Sequence, residues 1–218
     1  LLAGMAVMDQ DRPTNIEKWM PTRWTQEAIA GKAWHEYPRP QLMRDQWTNL
    51  NGTWEYAIAD SHIESWPGRQ GDIRVPDPIQ SHLSGVQKQV YADQALWYQR
   101  SFTVPSSWKG KRARLNFGAV DWQCKVLVNG KSVGEHFGGY DPFSFDITNA
   151  LKLGKNDIVM RVWDPTTDGD QPYGKQNFRP SGIWYTAVTG IWQTVWLEPV
   201  AATSIQSVVP ETKKSGAV

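Results

Sequence analysis

The sequence predicts an all-β protein, an antiparallel β-sandwich of jelly-roll type preceded by an irregular amino-terminal arm. Three observations carry that prediction. Short runs of period-two alternation recur between residues 41 and 200, Gly, Pro and Asn-Gly punctuation separates them, and almost no stretch of that span has a helical period. Many short strands joined by turns, with few helices, are the pattern of a sandwich. Length agrees with this: 218 residues leave room for one large domain with an arm and a tail, and such a chain buries a core without covalent staples.

In chain order, the first eight residues, Leu1-Leu2-Ala3-Gly4-Met5-Ala6-Val7-Met8, form an apolar run too short to span a bilayer. They read as the remnant of a signal-peptide hydrophobic region, so a periplasmic or secreted protein is expected. Residues 1–40 are taken together as the arm. From residue 9 it carries Pro13, Pro21, Pro38 and Pro40 with Trp19, Trp24 and Trp34 at no clean period, and only a helical turn or two over residues 25–30 is expected. Residues 41–200 are the sandwich. Strands are expected at 54–58, at 101–104 after Trp97-Tyr98, and at 112–117, where Ala113, Leu115 and Phe117 share one face and Arg112, Arg114 and Asn116 the other. Cys124, Val126 and Val128 form the next buried stripe, so Cys124 reads as a small core hydrophobe. Asn129-Gly130 is the strongest hairpin signal in the chain. Further strands are expected at 143–147, 157–163, 183–187 and 193–197. Residues 60–95 and 164–182 are connections too long to be simple turns, of the kind that carries function when ordered. A β-like run at 203–209 reads as the truncated start of a second domain, over 201–218.

Composition excludes several classes. Lys and Arg total 23 against 22 Asp and Glu, a net charge of +1, which argues against a nucleic-acid or membrane-surface protein. A single cysteine rules out a disulfide framework and any multi-cysteine zinc site. His35, His62, His82 and His136 are scattered, with no metal-ligand spacing. Asp164, Asp168 and Asp170 lack the spacing and closing Glu of a calcium loop and read as a solvated loop. No cofactor or metal is therefore expected. Asn51-Gly52-Thr53 fits a glycosylation sequon, and equally a turn, with the turn preferred. The unusual number is 13 tryptophans, more than Phe (6) or Tyr (7). Flat rings suit sugars, although most of these are expected in the core.

Among the acids, Asp164 stands at the end of the 157–163 strand, before Pro165, at the mouth of a long loop. Asp121 and Asp141 sit beside turns and read as structural. No Gly-x-Ser-x-Gly elbow and no phosphate-cradling glycine motif is present.

Several blocks together are recognisable. They are Pro38-Arg39-Pro40 before Leu50-Asn51-Gly52-Thr53-Trp54, the run Leu96-Trp97-Tyr98-Gln99-Arg100-Ser101-Phe102, and Phe117-Gly118-Ala119-Val120-Asp121 before Val126-Leu127-Val128-Asn129-Gly130. Gly138-Gly139-Tyr140-Asp141-Pro142-Phe143, Val162-Trp163-Asp164, Ser181-Gly182-Ile183-Trp184 and Gly190-Ile191-Trp192-Gln193 follow in order. Across residues 38–200 the chain resembles the amino-terminal sugar-binding domain of family 2 glycoside hydrolases, the β-galactosidase, β-glucuronidase and β-mannosidase group. The likeness is greatest to β-galactosidase-like members. The resemblance implies a galactose-binding-domain-like fold, a following immunoglobulin-like domain and a barrel bearing the two catalytic carboxylates of a retaining exo-acting enzyme. It implies no catalytic residue in this chain, which alone is expected to be inactive. Asp164, Arg179 and Trp184 are the implied substrate-binding residues, along one wall of the active site. The implied partners are a terminal β-linked sugar and the remaining domains of the same polypeptide, with no nucleic acid and no membrane. A self-sufficient carbohydrate-binding module is the alternative.

Overall fold

The computed structural model describes residues 20–32 and 34–212. The apolar run at 1–8 and the last residues of the tail, 213–218, lie outside them. A short helix, α1 (Thr25–Ile29), is followed by fourteen strands among the described residues. In order these are β1 (Thr48–Asn49), β2 (Gly52–Asp60), β3 (Gly71–Val75), β4 (Gln94–Thr103), β5 (Arg112–Phe117), β6 (Val120–Asp121) and β7 (Gln123–Val128). They continue with β8 (Lys131–Phe137), β9 (Phe143–Asp146), β10 (Lys155–Trp163), β11 (Gln176–Asn177), β12 (Tyr185–Thr186), β13 (Gly190–Ile191) and β14 (Val195–Val200). β1-β14-β5-β9 form a four-stranded antiparallel sheet and β3-β2-β4-β10-β7-β8 a six-stranded one.

The core lies between the two sheets. Alternation along each strand sends every second side chain inward. Ala113, Leu115 and Phe117 of β5 meet Val195 and Leu197 of β14 on one side. Ile158, Met160 and Val162 of β10, Cys124, Val126 and Val128 of β7, and Leu96 and Tyr98 of β4 come from the other. Cys124 is a buried member of this layer, and burial pushes its thiol up to about 12. The β7–β8 hairpin turns at Asn129-Gly130, with φ of 51° and 77°, the left-handed pair that a two-residue hairpin requires. Asn129 also donates to Ala150 O at 2.8 Å, tying the turn to the connection that precedes β10.

The outer faces are covered as well. Ala57, Ala95 and Trp97 on the outside of the six-stranded sheet pack with Ala59, Val159 and Trp66, which the 61–70 loop folds over them. The arm covers the four-stranded sheet: Tyr37 packs edge-on to Trp196 (6.4 Å) and Trp47 (5.4 Å). Beneath it Asn116, on the polar face of β5, is only 3% exposed and donates to Arg114 O and Trp196 O.

Three elements differ from expectation. β3 lies inside what reads as a long connection. Its Ile73 and Val75 are buried while Asp72 is exposed, an alternation five residues long beside a proline-rich stretch. The strand expected at 183–187 shrinks to β12, paired in parallel with β11, and Ile183 and Trp184 are exposed. The run at 203–209 forms no strand; Arg44 takes the carbonyl of Ile205 and Arg39 that of Gln206. Isolated β-propensity makes no strand without a pairing edge. Asn51, finally, is engaged from within: its Oδ1 accepts from Val195 N (3.0 Å), and Gly52 follows at φ 112°. That is the turn reading of the Asn-Gly pair.

Candidate functional site

At one end of the sandwich the 164–189 segment folds back across the strand ends. β10 stops at Trp163, and Asp164-Pro165-Thr166 turns sharply because the Asp164 carboxylate captures its own downstream backbone. Oδ1 accepts Thr166 N–H at 2.8 Å and Oδ2 accepts the Thr166 hydroxyl at 3.2 Å. Thr189 then donates its hydroxyl to Oδ2 at 2.7 Å, joining the two ends of the segment. Gln80 completes the clasp: its side-chain oxygen accepts Thr189 N–H (3.0 Å) and its amide donates to the Thr189 hydroxyl (2.8 Å).

A second acid lies in the same end. Asp121 ends β6, which pairs with β13. Its Oδ2 accepts from Gln176 Nε2 at 2.8 Å, and Gln176 in turn accepts Val188 N–H at 2.7 Å. Gly139 packs against this carboxylate so closely that a Cβ there would sit 2.6 Å from Asp121 Oδ1. Asp121 and Asp164 are 3% and 2% exposed. Burial raises both above the ordinary carboxylate range, and the charge of Asp164 lifts Asp121 further, to about 7.

The three residues expected to meet substrate do not converge. Asp164 is sealed beneath the loop, whereas Arg179 and Trp184 lie on its outside. No hydrogen bond or ion pair among the described residues joins them. Arg179 is exposed, its backbone held by Asn177 Oδ1 at 2.8 Å. Ile183, Trp184 and Tyr185 form an exposed apolar run, 67%, 39% and 64% accessible. The loop beneath is ordered by Phe178, nearly buried against Tyr91 with ring centroids 5.3 Å apart, and by Tyr185 N–H donating to Lys175 O. Asp168 and Asp170 join no group of three or more His, Cys, Asp or Glu able to hold a metal among the described residues.

Sequence reasoning missed the clasp. Asp121 reads as a turn residue, and Gln80, Thr189 and Gln176 carry no motif. The nearest signal was Gly138-Gly139, whose second glycine is required because a carboxylate fills the space a side chain would take. Chemically, the end is a scaffold: two buried carboxyls hold a loop on which Arg179, Trp184 and Tyr185 are exposed.

Comparison with known proteins agrees with this architecture. Residues 54–195 match the family model described as glycosyl hydrolases family 2, sugar binding domain. A β-galactosidase of Thermoanaerobacter pseudethanolicus is 40% identical over 116 residues, 51% of this chain and 14% of that protein. A putative β-glucuronidase of Formosa agariphila is 29% identical over 171 residues, 77% of this chain and 20% of that protein. The structure of Bifidobacterium dentium β-glucuronidase complexed with coumarin-3-O-glucuronide superposes with a TM-score of 0.55 at 26% identity, over 73% of this chain and 31% of that one. The chain thus spans a fifth or less of the length of these two curated relatives. With the family model covering well over half of its residues, the chain belongs to glycosyl hydrolase family 2, through the sugar binding domain of that family.

Proposed function

We propose that this chain is the amino-terminal sandwich of a retaining, exo-acting β-glycoside hydrolase of β-galactosidase-like type. It forms one wall of the active site and packs on a barrel that supplies the catalytic carboxylates. The observation that carries the proposal is the 179–185 segment, with Arg179, Trp184 and Tyr185 exposed on a loop pinned from below by Asp164 and Asp121. Arg179 offers planar donors to sugar hydroxyls and Trp184 a flat apolar face, the mixture a sugar site needs. Asp164 acts here as a positioning residue, shaping the wall through Thr166 and Thr189. A terminal β-linked sugar is the substrate, and a periplasmic or secreted location goes with this reading.

Retaining hydrolysis requires two carboxyl groups about 5–5.5 Å apart around the scissile bond. Asp121 and Asp164, both sealed from solvent, cannot flank a substrate, so the chain alone is expected to turn over no nitrophenyl glycoside. Turnover that a point substitution in this chain abolishes would sink the proposal. Within the longer polypeptide, Trp184→Ala and Arg179→Ala should each lower kcat/KM for a nitrophenyl β-galactoside about tenfold, the loss of roughly 1.4 kcal/mol of transition-state binding. Unchanged kcat/KM in both variants would remove this loop from the active site.

A further inference from the structure

A concave surface lies under the arm, on the outer side of the four-stranded sheet. Between the arm and the outer face of the four-stranded sheet runs a groove of about 1130 Å³. Its floor carries the polar Arg114 and Asn116 of β5 and Ser144 of β9 next to Phe143 of β9 and Trp196 of β14. Its walls are aromatic, with Trp34 on the arm side and Tyr140 and Trp192 on the other. Small-molecule clefts usually measure about 300–1,000 Å³, so this volume suits an elongated ligand of several rings.

The walls are built features. Trp192 is fixed by donating Nε1–H to Gly139 O at 2.7 Å, and Tyr140 meets it edge-on at 6.2 Å while staying 51% exposed. Trp34 is 59% exposed in a left-handed backbone conformation (φ 59°), an unfavourable state for a bulky residue. Its carbonyl accepts from Asn49 of β1 at 2.8 Å, which fastens that conformation to the sheet. Asn116 is nearly buried, and although its amide is used by two carbonyls, no donor among the described residues reaches its side-chain oxygen on the groove floor. The Arg114 guanidinium makes no hydrogen bond among the described residues, and the acid whose charge it feels, its cross-strand partner Asp146, is itself paired with Arg112 at 3.7 Å. The charged lining is Glu36 against Arg39 and Arg114, an excess of one positive charge.

We propose that this groove binds an oligosaccharide chain, and binds chains carrying uronic acids more tightly than neutral ones. A pyranose ring has an apolar C–H face and a rim of hydroxyls. Trp34 and Tyr140 suit the face, while Asn116, Ser144 and Gln193 suit the rim. Arg114 presents a fork matching a sugar carboxylate. No residue lining the groove lies in the 179–185 segment, so the proposal does not rest on the assignment of that segment.

Calorimetric titration of this chain with a neutral β-linked hexasaccharide and with a hexauronate tests it. Saturable binding of both is expected, with the uronate at least fivefold tighter at low salt. Tyr140→Ala and Gln193→Ala should each weaken both ligands severalfold, and the pair guards against a folding defect in either. Arg114→Gln should erase the uronate advantage and spare neutral binding, whereas Trp24→Ala, just before α1 and outside the groove, should change neither. No saturable binding at millimolar glycan would overturn the proposal. So would binding that disappears in Trp184→Ala but survives in the groove variants. Equal affinity for the two glycans would overturn the assignment of Arg114.

Discussion

Two buried acids at different places in this sandwich have opposite surroundings. Glu198 of β14 is fully buried under the arm, yet it is supplied with donors: the Arg44 guanidinium at 3.3 Å, the Tyr37 hydroxyl at 2.6 Å and the Trp196 indole at 3.2 Å. Tyr37 is pushed up to about 12 by its burial and by its hydrogen bond to the carboxylate. Asp121, at the end of the sandwich, is about as buried but has one neutral amide from Gln176 and a second acid, Asp164, nearby. At Glu198 a cation and donors stand in for water; at Asp121, where they do not, burial drives the carboxyl toward its neutral form. The first arrangement fastens an arm; the second keeps a loop clasp whose charge depends on pH.

The sharpest way to break this comparison is at Glu198. Glu198→Ala leaves Arg44 without its partner and two buried donors without an acceptor, and should cost about 3 kcal/mol in denaturant unfolding. It should also expose residues 34–47 to protease, since the arm loses its anchor. A cost below half of that would mean the arm is held by ring packing alone.

Asp121 should behave in the reverse sense. Its folded pKa is raised, so between the ordinary carboxylate range and about 7 the folded state holds a proton that the unfolded state has released. Stability from this group is full below the unfolded pKa and declines as pH rises through about 7. Asp121→Asn should therefore stabilise the chain by about 2 kcal/mol at pH 8, and by little at pH 4. Thermal melts across that range read the difference, and a pH-independent effect would show that Asp121 does not titrate there.

Thr189→Val probes the clasp itself. It removes the donor to Asp164 and the acceptor of the Gln80 amide, for an expected loss of about 1–2 kcal/mol. Proteolysis should then begin in the 164–185 loop before the sandwich opens. The smallest effect is expected at Arg69, which pairs with Asp72 at 2.9 Å, shorter than Arg44 to Glu198. Both partners are half exposed to water, so Arg69→Ala should leave the melting midpoint unchanged. A loss equal to that at Glu198 would mean distance, rather than burial, governs these pairs.

Much of the sandwich was legible beforehand. The inward stripe of β5, the buried stripe of β7 and the Asn129-Gly130 hairpin follow from alternation and turn chemistry, which a few neighbouring residues suffice to define. β3 escaped because five residues of alternation beside prolines are a weak local signal. The clasp escaped for a different reason. Gln80 and Thr189 are 109 positions apart, hydrogen-bonded only because folding brings them together, and neither has a sequence pattern of its own.

Residue order by itself determined the fold class, the strand faces and the family, because each rests on local periodicity or on motifs in sequence register. Tertiary structure alone decided the burial of Asp164 and Asp121, the anchoring of the arm on Glu198 and the groove between arm and sheet. Burial and charge environment belong to the neighbours a side chain acquires in space, and those neighbours come from segments far apart in the chain.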